Sequence, residues 1–287
     1  MSTGKPYLSN MAHMRLDEQA VTGSTIRPPT RVRHPLRARR LRVVETTMPS
    51  TSIHRICLSG DLADFPVGEL SPGDHVRLVL PDESGQVVMP TMREGRIHFD
   101  GPRPIMRDMT PRLVGEHLMI DICTEHEGPA VNWARNARPG SEVGVLGPRG
   151  SRLISVDNAR SVVIADATAL PAVGLWLEAA PAQMELDILI AAAGQQDYLA
   201  GRKHPRATVR WFESTLALTD ALVDTLVADS FVWAAGEAGW LRDIRRVLME
   251  RGVPRHAREL NGYWRRGEVN YDHHEPLDPS HPEASAT

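Results

Sequence analysis

Arg107-Asp108-Met109-Thr110-Pro111-Arg112 sets two guanidinium groups five positions apart around a hydroxyl. An Arg held beside a strand can fork onto a pyrophosphate, and a Thr hydroxyl can hydrogen-bond a ring nitrogen of a cofactor. Surface ion pairs explain the same two Arg equally well. Further on, Glu127-Gly128-Pro129-Ala130 runs into Val131-Asn132-Trp133-Ala134. Gly-Pro ahead of a short helix presents free backbone N–H groups suited to phosphate, although a plain helix start needs nothing more. Two other turns carry small residues after apolar runs: Asp166-Ala167-Thr168-Ala169-Leu170-Pro171 and Gly236-Glu237-Ala238-Gly239. Small residues there admit a ligand to the backbone, and the helix that follows favours an anion. Neither turn has the GxGxxG spacing, so tight packing of helix on strand accounts for them as well as a dinucleotide does.

The elements that must position these residues change character along the chain. Residues 1–33 are rich in Pro, Ser, Thr and Gly without apolar period and read as a disordered tail. From Leu41 six short β-rich runs follow: LRVVETTM, SIHRICLSG, HVRLVLP, GRIHFD, HLMIDICT and EVGVLGP, with turn formers between them. They predict an antiparallel β-barrel or sandwich over 34–150, interrupted by one short helix near Ala130 to Ala137. Over 151–287 the pattern becomes strand (SVVIADA), helix (LPAVGLWLEAA), strand (MELDILIAA), strand (ATVRWFE), helix (ALTDALVDTLVA), strand (SFVWAAG) and helix (AGWLRDIRRVLMERG). That alternation predicts a doubly wound α/β domain, which binds ligands beyond the carboxyl ends of its strands. A barrel followed by such a domain leaves a cleft between the two.

Composition narrows the class. Of 287 residues 41% are hydrophobic and 24% charged, near the globular average, and the formal charge is -3, which argues against nucleic acid as the main partner. The crowded Arg27, Arg31, Arg33, Arg37, Arg39, Arg40 and Arg42 could form a nucleic-acid arm, but Arg39 to Val44 already reads as a strand. There is no apolar run of membrane length and no secretory leader pattern, so a cytoplasmic protein without a membrane partner is expected. Cys57 and Cys123 lack any disulfide or CxxC spacing and read as reduced, buried thiols; the dispersed His predict no bound metal.

Seven segments, in order, carry a resemblance: SGDLADF, MRDMTPR, GPAVNWA, GPRGS, ADATALPAV, AAGEAGWLRDIRRVL and NGYWRRG. Together, over about Pro35 to Gly267, the chain resembles the siderophore-interacting proteins, flavin-containing ferric-siderophore reductases of the ferredoxin-reductase superfamily. The resemblance implies a six-stranded barrel holding FAD and an α/β domain docking NADPH or NADH. Electrons would pass from the nicotinamide through the flavin to a ferric siderophore, releasing Fe(II), with no side chain needed as acid or base. It places Arg107 and Arg112 at the flavin diphosphate, Thr110 beside the isoalloxazine N5 edge, and Gly128, Pro129, Ala130 and Trp133 at the diphosphate grip. Asp166, Thr168, Ala169 and Pro171 would form the nicotinamide-side turn, with Gly236 and Glu237 as its second wall. Trp264, Arg265 and Arg266, after Tyr263, would lie near the anionic chelate. A monomer is expected.

The chain departs from the family pattern at three places. Met109 stands where Arg-x-Tyr-Thr has its aromatic, and a thioether recovers only part of that contact, about 0.3–1.5 kcal/mol. Thr124 stands where a His is usual, with His126 two positions on. Val131 replaces a small hydroxyl residue. These departures leave two other readings open: a flavin reductase component serving another acceptor, and a flavin-less siderophore-binding homologue. Arg202, Lys203 and Arg206, following the second strand of the α/β domain, are the expected contacts to an NADPH 2′-phosphate.

Overall fold

In the first long strand, β2 (Ala38–Ser50), Leu41 and Val43 are buried while Arg40 and Arg42 face out, so one face packs a core and the other meets water. The structure, a computed structural model, describes residues 25–66, 68–93, 96–269, 271–272 and 276–277. β2 pairs with β3 (Ile53–Ser59) and with β10 (Glu142–Leu146); outward from these lie β9 (His117–Cys123) and β8 (Pro111–Val114) on one side, β4 (Val76–Val79) and β7 (Met106–Met109) on the other. All neighbours are antiparallel, in the order β7-β4-β10-β2-β3-β9-β8. The two edge strands are consecutive in the chain with only Thr110 between them. The edges must therefore meet at Thr110, and the sheet curls into a barrel.

That barrel has seven strands rather than six. MRDMTPRLV supplies two that the apolar pattern hid, because Arg107, Asp108 and Arg112 interrupt it. GRIHFD, read as a barrel strand, instead contributes β6 (Arg96–His98) to a separate hairpin with β5 (Thr91–Arg93). α1 (Pro129–Asn136) packs Ala130, Val131, Trp133 and Ala134 onto the barrel core. Thr30–Arg33, read as the end of the tail, is a strand, β1, paired with β11 (Gly150–Leu153). Its backbone bonds to a strand edge are long-range and leave no trace in local composition. Residues 1–24 of the expected tail lie outside the described residues.

The second half is a five-stranded parallel sheet in the order β14 (Ala207–Phe212), β13 (Glu185–Ala191), β12 (Arg160–Asp166), β15 (Phe231–Glu237) and β16 (Arg258–Trp264). β12, β13, β14 and β15 match the apolar runs; no such run announces β16, because Arg258, Glu259 and Asn261 interrupt it. α2 (Leu170–Ala179), α3 (Thr215–Thr225) and α4 (Ala238–Glu250) return the chain between strands. β12 and β15 are buried almost throughout, as strands covered on both faces must be.

The two halves share a core: Ile53, Leu70 and Ile154 join Trp176 and Trp233, whose rings meet edge-on at 6.3 Å. A polar brace crosses beside it. Asp121 accepts both forks of Arg55 at 2.7 Å and the Tyr198 hydroxyl at 2.5 Å, and the guanidinium of Arg202 lies over the Tyr198 ring. Most of the crowded N-terminal Arg are paired with acids: Arg27 with Asp157, Arg37 and Arg39 with Asp64, Arg40 and Arg42 with Glu142. That pairing removes much of the charge a nucleic-acid arm would need.

Candidate functional site

β12 and β15 run side by side, and the chain leaves them toward opposite edges of the sheet, which makes their carboxyl ends a topological switch point. Asp166 ends β12 with its carboxylate buried. Oδ1 accepts the Thr168 N–H at 2.9 Å and the Thr168 hydroxyl at 2.5 Å; Oδ2 accepts the Glu237 N–H at 2.9 Å and the Trp264 indole N–H at 3.0 Å. One carboxylate thus ties together the ends of β12, β15 and β16. Burial pushes this carboxyl upward while those donors pull it back. Gly236, at φ +150°, lets the strand end approach that carboxylate: a β-carbon would stand 2.6 Å from Asp166 Cγ. Burial also acts on Glu237, but N–H groups of Trp240, at 2.6 Å, and Arg266, at 3.1 Å, hold it below the usual carboxylate range. Asp166, Thr168, Gly236 and Glu237 therefore come together as expected, whereas Ala169 and Pro171 are buried where α2 begins.

The barrel meets this switch point through Thr110. Burial keeps the Tyr263 phenol, on β16, in its neutral form, with Thr110 close enough to pull against that effect. Next to Tyr263, Trp264 packs against His126 with the rings tilted by 42° and their centroids 4.4 Å apart. Three residues before Thr110 stands Arg107, half-buried, its guanidinium donating to the Met106 carbonyl at 2.7 Å. Its neighbour Asp108 is engaged by both forks of Arg77, at 2.7 and 2.8 Å, and no salt bridge to Arg107 exists among the described residues. Burial makes the Arg107 charge costly, lowering its pKa against the pull of Asp108. A half-buried guanidinium without a carboxylate fits a diphosphate. The start of α1 offers donors of its own: Gly128 supplies no side-chain cap, nothing stands where its β-carbon would be, and the first helical bond is Asn132 N–H to Gly128 O, after the N–H groups of Ala130 and Val131. These donors suit FAD.

Other expected residues have different partners. Trp133 and the Ala130 side chain belong to the barrel core, and Met109 packs against that core. The Thr124 hydroxyl donates to the Ser52 carbonyl at 3.2 Å. Arg112 pairs with Glu178 at 3.4 Å; Glu178 is in the last turn of α2, toward the amino edge of the sheet, so Arg112 braces the two halves away from the switch point. Arg265 meets Glu268 at 3.3 Å and lies over Tyr271, while Arg266 is exposed beside Glu237. Cys123 is half-buried, and burial pushes its thiol up to about 12.

The basic loop expected at the 2′-phosphate is at the wrong end of the sheet. Arg206 pairs with Glu185, the first residue of β13, and Arg202 is held by Glu178 and the Tyr198 carbonyl. The sequence places these residues after the second strand, but a short 3-10 turn over Gln196–Leu199 carries the chain back to the amino edge before β14. Replacing Lys203 and Arg206 by Ala is expected to change the NADPH dissociation constant by less than about twofold in a fluorescence titration; a loss of about tenfold, or 1.4 kcal/mol, would put the 2′-phosphate there.

Gln195 ties the two halves together at a position that the sequence pattern does not single out. It is 3% exposed at the carboxyl side of β13, accepts from Ser50 at 2.8 Å and donates to Ser52 at 2.8 Å and Glu125 at 3.3 Å. Its partners are all on the barrel side, far away in sequence, so no local signal marked it.

Both halves of the chain are similar to known proteins. The siderophore-interacting FAD-binding domain family matches residues 42–152 and the siderophore-interacting protein family matches 158–267. The chain is 33% identical to an NADPH-dependent ferric-chelate reductase of Escherichia coli K12 over 84% of its own length and 98% of that protein's. It is 26% identical to the ferric vibriobactin reductase ViuB of Vibrio cholerae, covering 79% of this chain and 89% of that one. A siderophore utilization protein from T. fusca superposes with a TM-score of 0.78 at 34% identity, covering 86% of this chain and all of that one.

Proposed function

The chain belongs to the siderophore-interacting protein family, and from that premise we propose that it is an NADPH-dependent ferric-siderophore reductase that uses FAD and releases Fe(II). The observation that carries the reading is the Arg107 guanidinium, half-buried and without a carboxylate partner among the described residues, three residues from Thr110, where the barrel edges meet. Bound flavin supplies the conversion of a two-electron hydride into single electrons. The protein's own part is placement. Arg107 and the first N–H groups of α1 bind the diphosphate, and Thr110 orients the ring edge. Gly236 lets the Asp166 carboxylate close on the end of β15, and Asp166 fixes the three strand ends around the nicotinamide. Arg265 and Arg266 supply positive charge for an anionic iron chelate. Among the described residues no helix is long and apolar enough to cross a membrane; the reading includes a cytoplasmic monomer.

An anaerobic assay with FAD, NADPH and ferric citrate, trapping Fe(II) with a chromogenic chelator, tests the acceptor. Ferrous iron should appear in twofold molar ratio to NADPH consumed, and only when protein and flavin are both present. NADPH oxidation that proceeds unchanged without the ferric chelate and yields no Fe(II) would point to a flavin reductase component.

A further inference from the structure

The phosphate donors at the start of α1 belong to the barrel half, yet the loop that leads into them is held from the other half. Resting on the FAD reading, we propose that Gln195 is a positioning residue for flavin binding. From the α/β half it fixes Ser52 and Glu125, and through them the approach to α1, so that it sets the affinity for FAD.

Beyond β13 the chain turns at Gly194, whose φ of +71° favours glycine, and sends the Gln195 side chain into the barrel. There it closes on both flanks of the turn between β2 and β3. Oε1 accepts the Ser50 hydroxyl at 2.8 Å, and Nε2 donates to the Ser52 hydroxyl at 2.8 Å and to Glu125 Oε1 at 3.3 Å. A carboxylate only accepts, so Glu125 fixes which way the amide faces. From Ser52 the network continues through its carbonyl, which accepts the Thr124 N–H at 2.8 Å and the Thr124 hydroxyl at 3.2 Å. Thr124 and Glu125 open the segment that ends at Gly128, just ahead of α1. Arg135, in the last turn of α1, donates to the Thr124 carbonyl at 3.4 Å and to Glu127 at 2.9 Å. The loop is thus pinned to its own helix on one side and to Gln195 on the other.

A tie between the halves alone does not account for this arrangement. Tyr198, three residues on, already supplies one through Asp121 and Arg55, which are opposite each other within the β3–β9 ladder. Gln195 instead grips residues 124–128, which lie between β9 and α1, outside the strand ladders. A loop left free must be ordered by its ligand, and that ordering subtracts from affinity. Held in advance, it presents the first N–H groups of α1 to a diphosphate without that loss.

Calorimetric titration with FAD, beside melting curves of the flavin-free proteins, tests the role. Gln195→Met should bind FAD about tenfold more weakly, whereas Tyr198→Phe, which breaks the neighbouring tie, should stay within about twofold of wild type. Gln195→Glu still accepts from both serine hydroxyls but sets a carboxylate against Glu125, and should lose at least as much affinity as Gln195→Met. Adding Glu125→Gln to it restores one donor and one acceptor to the pair and should return the affinity to within about threefold of wild type. A change in packing alone gives no such recovery, and the recovery can be read even if Gln195→Met does not fold. Unchanged affinity in Gln195→Met, equal losses in Gln195→Met and Tyr198→Phe, or no recovery in the double variant overturns the positioning role while the reductase reading stands. Wild-type protein that takes up no flavin overturns the reading and the role together.

Discussion

Arg107→Ala should weaken FAD binding about 100-fold, roughly 2.7 kcal/mol, with little loss of thermal stability. The described hydrogen bond of the guanidinium goes only to a neighbouring carbonyl, so removing it breaks no ion pair among the described residues of the flavin-free protein. Its contribution appears when a diphosphate arrives, where a bidentate charge-assisted contact is worth more than a neutral one. Arg112→Ala provides the contrast. That side chain is engaged with Glu178 across the two halves, so its loss should lower stability and leave flavin affinity within about threefold. Isothermal titration with FAD, beside a melting curve of each flavin-free variant, separates the two. Equal affinity losses at both positions would mean that Arg112 also reaches the diphosphate.

The largest stability effect is expected at Asp166. Asp166→Ala removes the acceptor of four hydrogen bonds and leaves the Thr168 N–H, the Glu237 N–H and the Trp264 indole N–H without it in a buried place. At about 1–3 kcal/mol for each unsatisfied group, partly relieved by relaxation, a loss of about 3–5 kcal/mol follows. That corresponds to a fall of very roughly 10 °C in melting temperature for a chain of this size. Asp166→Asn retains one acceptor oxygen but turns an NH2 toward donors, and should fall between. The loss should appear in flavin-free protein, because the carboxylate acts on strand ends. A variant with wild-type melting temperature and impaired NADPH binding would instead make Asp166 a ligand contact.

How far the residues alone reached depended on whether a signal was local. The near-continuous apolar runs of β12 and β15 announce strands buried on both faces, and the change from short alternating runs to strand and helix locates the junction of the two halves. β7 and β8 escaped because their charged residues face a rim, and β16 because its polar ladder Glu259, Asn261, Tyr263 faces the other half rather than an apolar core. The site divides in the same way. Gly236 and Asp166 were legible as a small and a polar residue at strand ends, but that one seals against the other is visible only in three dimensions. Arg202, Lys203 and Arg206 misled because sequence order after a strand does not say toward which edge of the sheet the chain has turned. Gln195 had no sequence signal at all.

The redox assignment is most directly tested by the visible absorption spectrum of the protein mixed with one equivalent of FAD, then with NADPH without oxygen, then with ferric citrate. The flavin band should be perturbed by binding, bleached by NADPH and restored by the iron chelate as Fe(II) appears, as that assignment requires. A flavin spectrum identical to that of free FAD in the presence of excess protein would contradict it.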